Sequence, residues 1–199
     1  GFAAFRPGNV TLSNSSSELD ETKEEFTGAD LTHGVNPATG IVLYYRLPKL
    51  EKSDVVQLEV RDSAGKVVRR FSSIADTTFK KWSGGPPAEP VLPTATGINR
   101  FVWDLRYPTV PGVPGVHMEG SYRGHKASPG SYRFTFTVGG KTASTDAAIL
   151  ANPLYPTDAA TYAEYDAFMS GMERELTVMH ETVNRLHALQ ERLAAVLAG

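Results

Sequence analysis

Histidines, carboxylates and loop aromatics are the side chains of this sequence that could do chemistry. Their spacing decides how far each goes. The five histidines are His33, His117, His125, His180 and His187. His180 and His187 fall two helical turns apart, about 10 Å at the helical rise, too far to share one metal. His180-Glu181 is not followed by a second histidine at zinc-protease spacing. His117, Glu119 and His125 share a loop that could hold a metal, but loop histidines are ordinarily solvated, so no metal ligand is assigned. No Gly-x-Ser-x-Gly elbow occurs, no glycine-rich phosphate loop opens a helix, and Asp-x-Asp calcium patterns are absent. There is no cysteine, which removes thiolate nucleophiles, thiolate metal sites and disulfides. Glu18, Asp20, Glu21, Glu24 and Glu25 read as a solvated acidic run, and no spacing pairs two carboxylates for glycoside hydrolysis. The expectation is a chain that is not an enzyme and uses no cofactor.

Three rings offer a different chemistry. Trp82 sits in a Gly/Pro-rich segment, and Tyr107 and Tyr122 flank another. Rings exposed in such loops can stack sugars; the same rings can also pin their own loops to a core. They are the candidate carbohydrate-binding residues, with a polysaccharide as the candidate ligand.

These loops have to hang on strands. Residues 41–47 are apolar and stop at Pro48. Residues 55–60 alternate, with Val56, Leu58 and Val60 on one face, the period of a half-buried strand. Asp62-Ser63-Ala64-Gly65 turns the chain into a second strand over 66–71. After a long excursion, residues 99–105 alternate with Phe101, Trp103 and Leu105 on one side. A second loop covers 108–130. Residues 131–138 alternate through Tyr132, Phe134, Phe136 and Val138, and Gly139-Gly140 is a hairpin turn leading to a strand over 141–150. Six strands in antiparallel order, with one more expected in the lead-in, describe an immunoglobulin-like antiparallel β-sandwich at 41–150. Trp103 is expected on a central strand.

Residues 1–40 form a polar lead-in, expected to be irregular and to wrap the surface. Residues 158–198 read as helix, with Asp158 as N-cap. There the apolar residues recur at spacings of three and four: Met169, Met172, Leu176, Met179, Val183, Leu186, Leu193 and Leu197, with Gln190 interrupting the stripe. This is a heptad seam. One helix would run about 60 Å and overhang the sandwich; a break at Gly171 would make a helical hairpin instead. Either way the seam needs a partner, so a homo-oligomer formed through the helix is one expectation.

The whole chain has 199 residues, 20 Lys+Arg against 22 Asp+Glu, 18 Gly and 13 Pro. Near-neutral charge argues against a nucleic-acid partner, and no apolar run approaches the roughly 20 residues of a membrane span. The start, Gly1-Phe2-Ala3, reads as a piece of a longer protein.

The hairpin Val56-Gln57-Leu58-Glu59-Val60-Arg61-Asp62-Ser63-Ala64-Gly65-Lys66-Val67-Val68-Arg69 resembles that of bacterial Ig-like and fibronectin-type modules. Asn99-Arg100-Phe101-Val102-Trp103-Asp104-Leu105-Arg106-Tyr107-Pro108 and the Pro129-Gly130-Ser131-Tyr132 corner follow in the same order. Together with Val183-Asn184-Arg185-Leu186 they resemble the region after the β-propeller in bacterial BNR-repeat, sortilin-like proteins often labelled glycosyl hydrolases. More distantly they resemble the Ig-like domain of flagellar hook-capping proteins. The resemblance implies an extracytoplasmic location and an upstream propeller as partner within the same polypeptide. It implies a non-catalytic accessory module that braces the propeller or mediates assembly through its helix. Asn99, Trp103, Asp104, Pro129, Gly130 and Tyr132 carry the motif, and each has a folding role: Asn99 in the strand's entry turn, Asp104 capping or pairing with Arg100 or Arg106, and Tyr132 as a tyrosine corner.

Overall fold

The computed structural model describes residues 1–12, 38–116 and 120–198. Two short strands open the chain, β1 (Ala3–Ala4) and β2 (Val10–Thr11). They are followed by β3 (Ile41–Leu47), β4 (Gln57–Asp62), β5 (Val67–Ser72), β6 (Gly97–Trp103), β7 (Gly130–Val138), β8 (Lys141–Leu150) and one helix, α1 (Ala159–Ala198). Three strands form a sheet in the order β1-β3-β6, and five form a second in the order β2-β8-β7-β4-β5.

Alternation builds the core. Ile41, Leu43, Tyr45 and Leu47 of β3 point inward, as do Val56, Leu58 and Val60 around β4 and Tyr132, Phe134, Phe136 and Val138 of β7. A period of two puts every second side chain on one face, so these rows meet between the sheets. Tyr45 packs on Phe136 with centroids 4.4 Å apart, Phe71 on Phe101 at 4.8 Å, and Trp103 on Phe134 at 5.8 Å. Each pair joins one sheet to the other, so removing a ring loosens both layers.

The turns follow their residues. Gly139 and Gly140 take φ of 52° and 74°, which lets two residues reverse the chain between β7 and β8. Asp62 closes the β4–β5 turn by accepting from the Ala64 and Lys66 amides. Asn99 accepts from the Ala95 amide and donates to the Ala95 and Gly97 carbonyls, fixing the entry to β6. Tyr132 buries its ring and donates its hydroxyl to the Ser128 carbonyl at 2.5 Å, across the Pro129-Gly130 corner.

Four expectations change. The lead-in does not simply wrap the surface: its first twelve residues contribute β1 to one sheet and β2 to the other, while 13–37 lie outside the described residues. The six strands read from the sequence, β3 to β8, pair antiparallel, but the lead-in adds a parallel pair, β2 beside β8. Trp103 lies on β6, an edge of its sheet rather than a central strand, yet it is fully buried because its ring points into the core and its indole N–H reaches the Arg106 carbonyl. Strand β6 ends at Trp103, and Leu105 turns inward through φ 64° instead of continuing the alternation. That left-handed residue is held by the Ala127 amide, which donates to the Leu105 carbonyl at 2.7 Å.

Replacing Tyr132 with Phe removes one buried hydrogen bond and keeps the ring. Urea unfolding followed by Trp fluorescence is expected to show a loss of about 1 kcal/mol with an unchanged slope.

Candidate functional site

Helix α1 does not sit on a sheet. It lies along the loops after β5 and β6, where hydrogen bonds to His125, Pro111 and Gly112 and ring contacts to His125 and Tyr122 meet it. Asp158 caps it, accepting from the Thr161 amide at 2.7 Å. No break occurs at Gly171, so the hairpin alternative is not the one adopted. An added Cβ at Gly171 would meet nothing within 4 Å; the absent side chain leaves a gap on the helix, and the helix runs through it.

The principal anchor is His125, whose side chain is 1 % exposed. Its Nδ1 lies 2.9 Å from both carboxylate oxygens of Glu173, and its Nε2 lies 3.1 Å from Asp166. Carboxylates only accept, so both ring nitrogens must donate, which requires the imidazolium. The His125 backbone amide also donates to Glu173 at 2.6 Å. Asp166 and Glu173 stand seven residues apart, two turns on one helix edge, and the ring bridges them end to end.

Around this ring the loops close. Tyr107 stacks on His125 at 4.2 Å, nearly parallel, and Tyr165 meets it edge-on at 5.8 Å. The Tyr107 amide donates to the His125 carbonyl, tying the loop after β6 to the loop before β7. Buried Arg69 donates to the Tyr107 carbonyl and pairs with Glu89. Lys66 pairs with Asp166 at 3.4 Å and lies over the Tyr107 ring. Two basic residues from the β4–β5 hairpin thus support the platform that carries the histidine.

The charges set the titration. Burial would lower the His125 pKa, but the bonds and charges of Glu173 and Asp166 outweigh it and hold the pKa above its ordinary value. Burial pushes the Asp166 carboxyl up, and His125, Tyr107 and Lys66 together bring it below the usual carboxylate range. Burial, then the Asp166 charge, raises the Tyr107 phenol. Tyr107 therefore stays a neutral donor.

A second anchor lies further along the same edge. His180 Nδ1 sits 2.5 Å from the Pro111 carbonyl, and the Asn184 amide donates to the Gly112 carbonyl at 2.9 Å. Ser128 adds a bond to the Tyr162 carbonyl near the helix start. The docked edge is therefore Asp166, Glu173, His180 and Asn184. The apolar seam runs beside it. Met169 and Leu176 are half-buried, whereas Met172, Met179, Val183, Leu186, Leu193 and Leu197 are exposed, Leu186 at 61 % and Leu197 at 87 %.

The candidate sugar-stacking rings fall elsewhere. Tyr107 and Tyr122 are buried at 8 % and 5 % exposure, so neither offers a free face. Trp82 is half-buried: a Cβ added at Gly85 or Gly112 would come within 2.5–2.8 Å of its ring. The ring is thus clamped between two glycines and ties two loops together. Trp82, Tyr107 and Tyr122 do not form one binding platform. Asp104 caps its turn by accepting from the Arg106 amide. Of the loop metal candidates, His117 and Glu119 lie outside the described residues. The nitrogens of His125 face opposite carboxylates rather than converging, and among the described residues no group of three or more His, Cys, Asp or Glu is arranged to hold a metal. No described helix is long and apolar enough to cross a membrane.

Sequence reasoning weighed His125 as a metal ligand and passed over Asp166 and Glu173. A signal was present: Asp166, Glu173 and His180 recur every seven residues, one position after Tyr165, Met172 and Met179.

Replacing His125 with Ala leaves two carboxylates without their cation and is expected to cost about 3 kcal/mol. Amide exchange in α1 should accelerate while β7 and β8 stay protected. The pH dependence has a definite sign. The raised His125 pKa contributes stability fully below the unfolded value near 6.5, and that contribution is lost as pH rises through the folded value. The lowered Asp166 pKa contributes above the unfolded carboxylate value of about 3.9 and is lost as pH falls through the folded one. The protection of α1 amides, measured against their intrinsic exchange rates, is therefore expected to be greatest between about pH 4 and pH 6.5 and to fall as pH rises above that window in the wild type, with no such fall in the His125 variant.

Compared with known proteins, the chain matches no family model, no curated protein and no solved structure.

Proposed function

We propose that this chain is a non-catalytic assembly module, an Ig-like β-sandwich that holds out a helix for pairing with another helix. The observation that carries this is the way α1 is oriented. It docks through Asp166, Glu173, His180 and Asn184, and so leaves its apolar seam exposed from Met179 onward, although Met169 and Leu176 are half-buried against the loops. Beyond Asn184 every residue of α1 whose side chain is described is exposed. A helical end of some fourteen residues is marginal alone in water, and leucines at heptad spacing gain most from a second helix of the same repeat.

The second helix is that of another copy of this chain, since α1 itself carries the matching period. The seam carries Met172, Met179, Val183, Leu186, Leu193 and Leu197, all exposed. At 1.5 Å per residue, Tyr165 to Leu197 is about 50 Å of contact length. The non-catalytic part of the reading is supported by the titratable cluster among the described residues, where His125 and Lys66 pair with Asp166 and Glu173. The setting is an extracytoplasmic protein in which the chain follows a β-propeller and braces it. The resemblance of the β4–β5 hairpin, of Asn99 to Pro108 and of the Pro129-Gly130-Ser131-Tyr132 corner supports that setting.

Sedimentation equilibrium of the purified chain is expected to show a dimer at micromolar concentration. The double variant Leu186→Asp/Leu193→Asp should sediment as a monomer with unchanged near-UV dichroism. A wild-type chain that stays monomeric to hundreds of micromolar would remove this reading.

A further inference from the structure

Open sheet edges present unpaired backbone amides and carbonyls to any chain that can add beside them. The two sheets end in four such strands, β1, β6, β2 and β5. Three of these edges are blunted. Strands β1 and β2 are two residues long. Strand β5 has a register shift in its pairing with β4, and its Ser72 carbonyl is already taken by the Leu92 amide. Strand β6 has no such protection. Its seven residues contain no proline and pair with β3 in unbroken register from Ile41 opposite Trp103 to Leu47 opposite Gly97.

The register decides which groups that edge offers. The Phe5 amide donates to the Tyr44 carbonyl, so Tyr44 turns its backbone toward β1. Backbone groups alternate in direction along a strand, so Leu43 and Tyr45 turn theirs toward Phe101 and Asn99 of β6. Ile98, Arg100 and Val102 therefore aim their amides and carbonyls away from the sheet. Their side chains lie on its outer face, because the alternate residues Asn99, Phe101 and Trp103 are buried. Ile98 is 69 % exposed, and Arg100 is exposed beside it.

This face is cationic. Strands β1, β3 and β6 carry Arg46 and Arg100 and no acidic residue, in a chain whose net charge is −2. Arg100 lies opposite Tyr44 and Arg46 opposite Ile98, which makes the two arginines diagonal neighbours. Both are exposed, and among the described residues neither has an ion-pair or hydrogen-bond partner. Asp104, the first acid after the strand, is occupied with the Arg106 amide. The charge pattern chooses between occupants. Adding β6 of a second copy would gather the arginines of both chains on one face with no acid to offset them, and like charges across strands destabilise. A strand that carries a carboxylate gains where a second copy loses.

We propose that β6 is a docking edge for an extended acidic segment of another protein, which adds beside it as a further strand. The backbone of the segment bonds Ile98, Arg100 and Val102, its carboxylate sits beside Arg100, and apolar side chains two residues to either side cover Ile98 and Val102. No residue of α1 takes part. The probe is the peptide acetyl-Thr-Val-Thr-Glu-Thr-Val-Thr-amide, with a Lys-for-Glu counterpart, titrated into the whole chain and followed by amide NMR. The Glu peptide is expected to bind at millimolar concentration or below. It should slow exchange of the Ile98, Arg100 and Val102 amides, while those of Asn99 and Phe101, already turned toward β3, change little. The Lys counterpart should bind about fivefold more weakly, the upper range of a cross-strand charge pair, and Arg100→Glu should reverse that preference. Methylating the Glu backbone nitrogen of the peptide should abolish binding to the wild type, a readout that needs no variant to fold. The Leu186→Asp/Leu193→Asp chain should bind the peptide as the wild type does, so failure of helix pairing and failure of this edge are distinguishable. No binding at millimolar peptide, equal binding of the Lys counterpart, or protection confined to other strands would overturn the proposal. Protection of Ile98, Arg100 and Val102 that rises with protein concentration alone would also overturn it, by giving the edge to a second copy.

Discussion

One imidazolium holds the two halves of this molecule together. The packed sheets are complete without α1: their core closes between β3, β4, β6 and β7, and no strand needs the helix to cover it. What chiefly joins the helix to them is His125, donating from opposite ends of its ring to Glu173 and Asp166, with His180 and Asn184 bonding the Pro111 and Gly112 carbonyls further along. Much else follows from that bridge. Tyr107 stacks on the ring, and Arg69 and Lys66 brace Tyr107 and Asp166. A charge bridge also sets the helix's rotation, because only one edge of α1 carries both carboxylates.

Rotation is the consequence that matters for function. A helix docked by apolar contacts would have spent its seam on the body. Docked by charge, it keeps the seam exposed from Met179 onward and leaves its last turns uncovered. The same choice leaves a gap, since the half-buried Met169 and Leu176 meet loops rather than a sheet, and a cleft beside them stays open. Anchor, exposed seam and cleft are thus three results of one docking mode. The cost is conditional stability: the anchor needs the histidine charged and the carboxylates ionised together, so it is lost as pH rises through the raised His125 value or falls through the lowered Asp166 value.

The strands were legible because a period of two is a local property. Val56, Leu58 and Val60, or Tyr132, Phe134, Phe136 and Val138, announce their faces without any knowledge of partners. The hairpin turns were legible for the same reason, as Gly139-Gly140 has few other uses between two strands. What could not be read was non-local. Ala3–Ala4 and Val10–Thr11 are too short to show a period, and they become strands only because sheet edges stand beside them. Trp103 was placed centrally because its size suggested it, but burial on an edge strand depends on the opposite sheet. The helix seam was legible, whereas its exposure was not, because heptad spacing marks a partner without saying which. Nothing local singles out Asp166 and Glu173; only their approach to His125, more than forty residues away, gives them a role. Tyr107 and Tyr122 were read as loop rings, and loops that fold back on a docked helix bury such rings.

The most direct test of this account is the ring itself. Nitrogen-15 NMR of the imidazole reports protonation at both nitrogens of His125 as pH is raised. The account predicts a ring protonated at both positions through pH 6.5, titrating above the ordinary histidine value, with the α1 amide signals shifting at the same midpoint. A His125 that titrates at or below 6.5, or that loses its proton without disturbing α1, would contradict it.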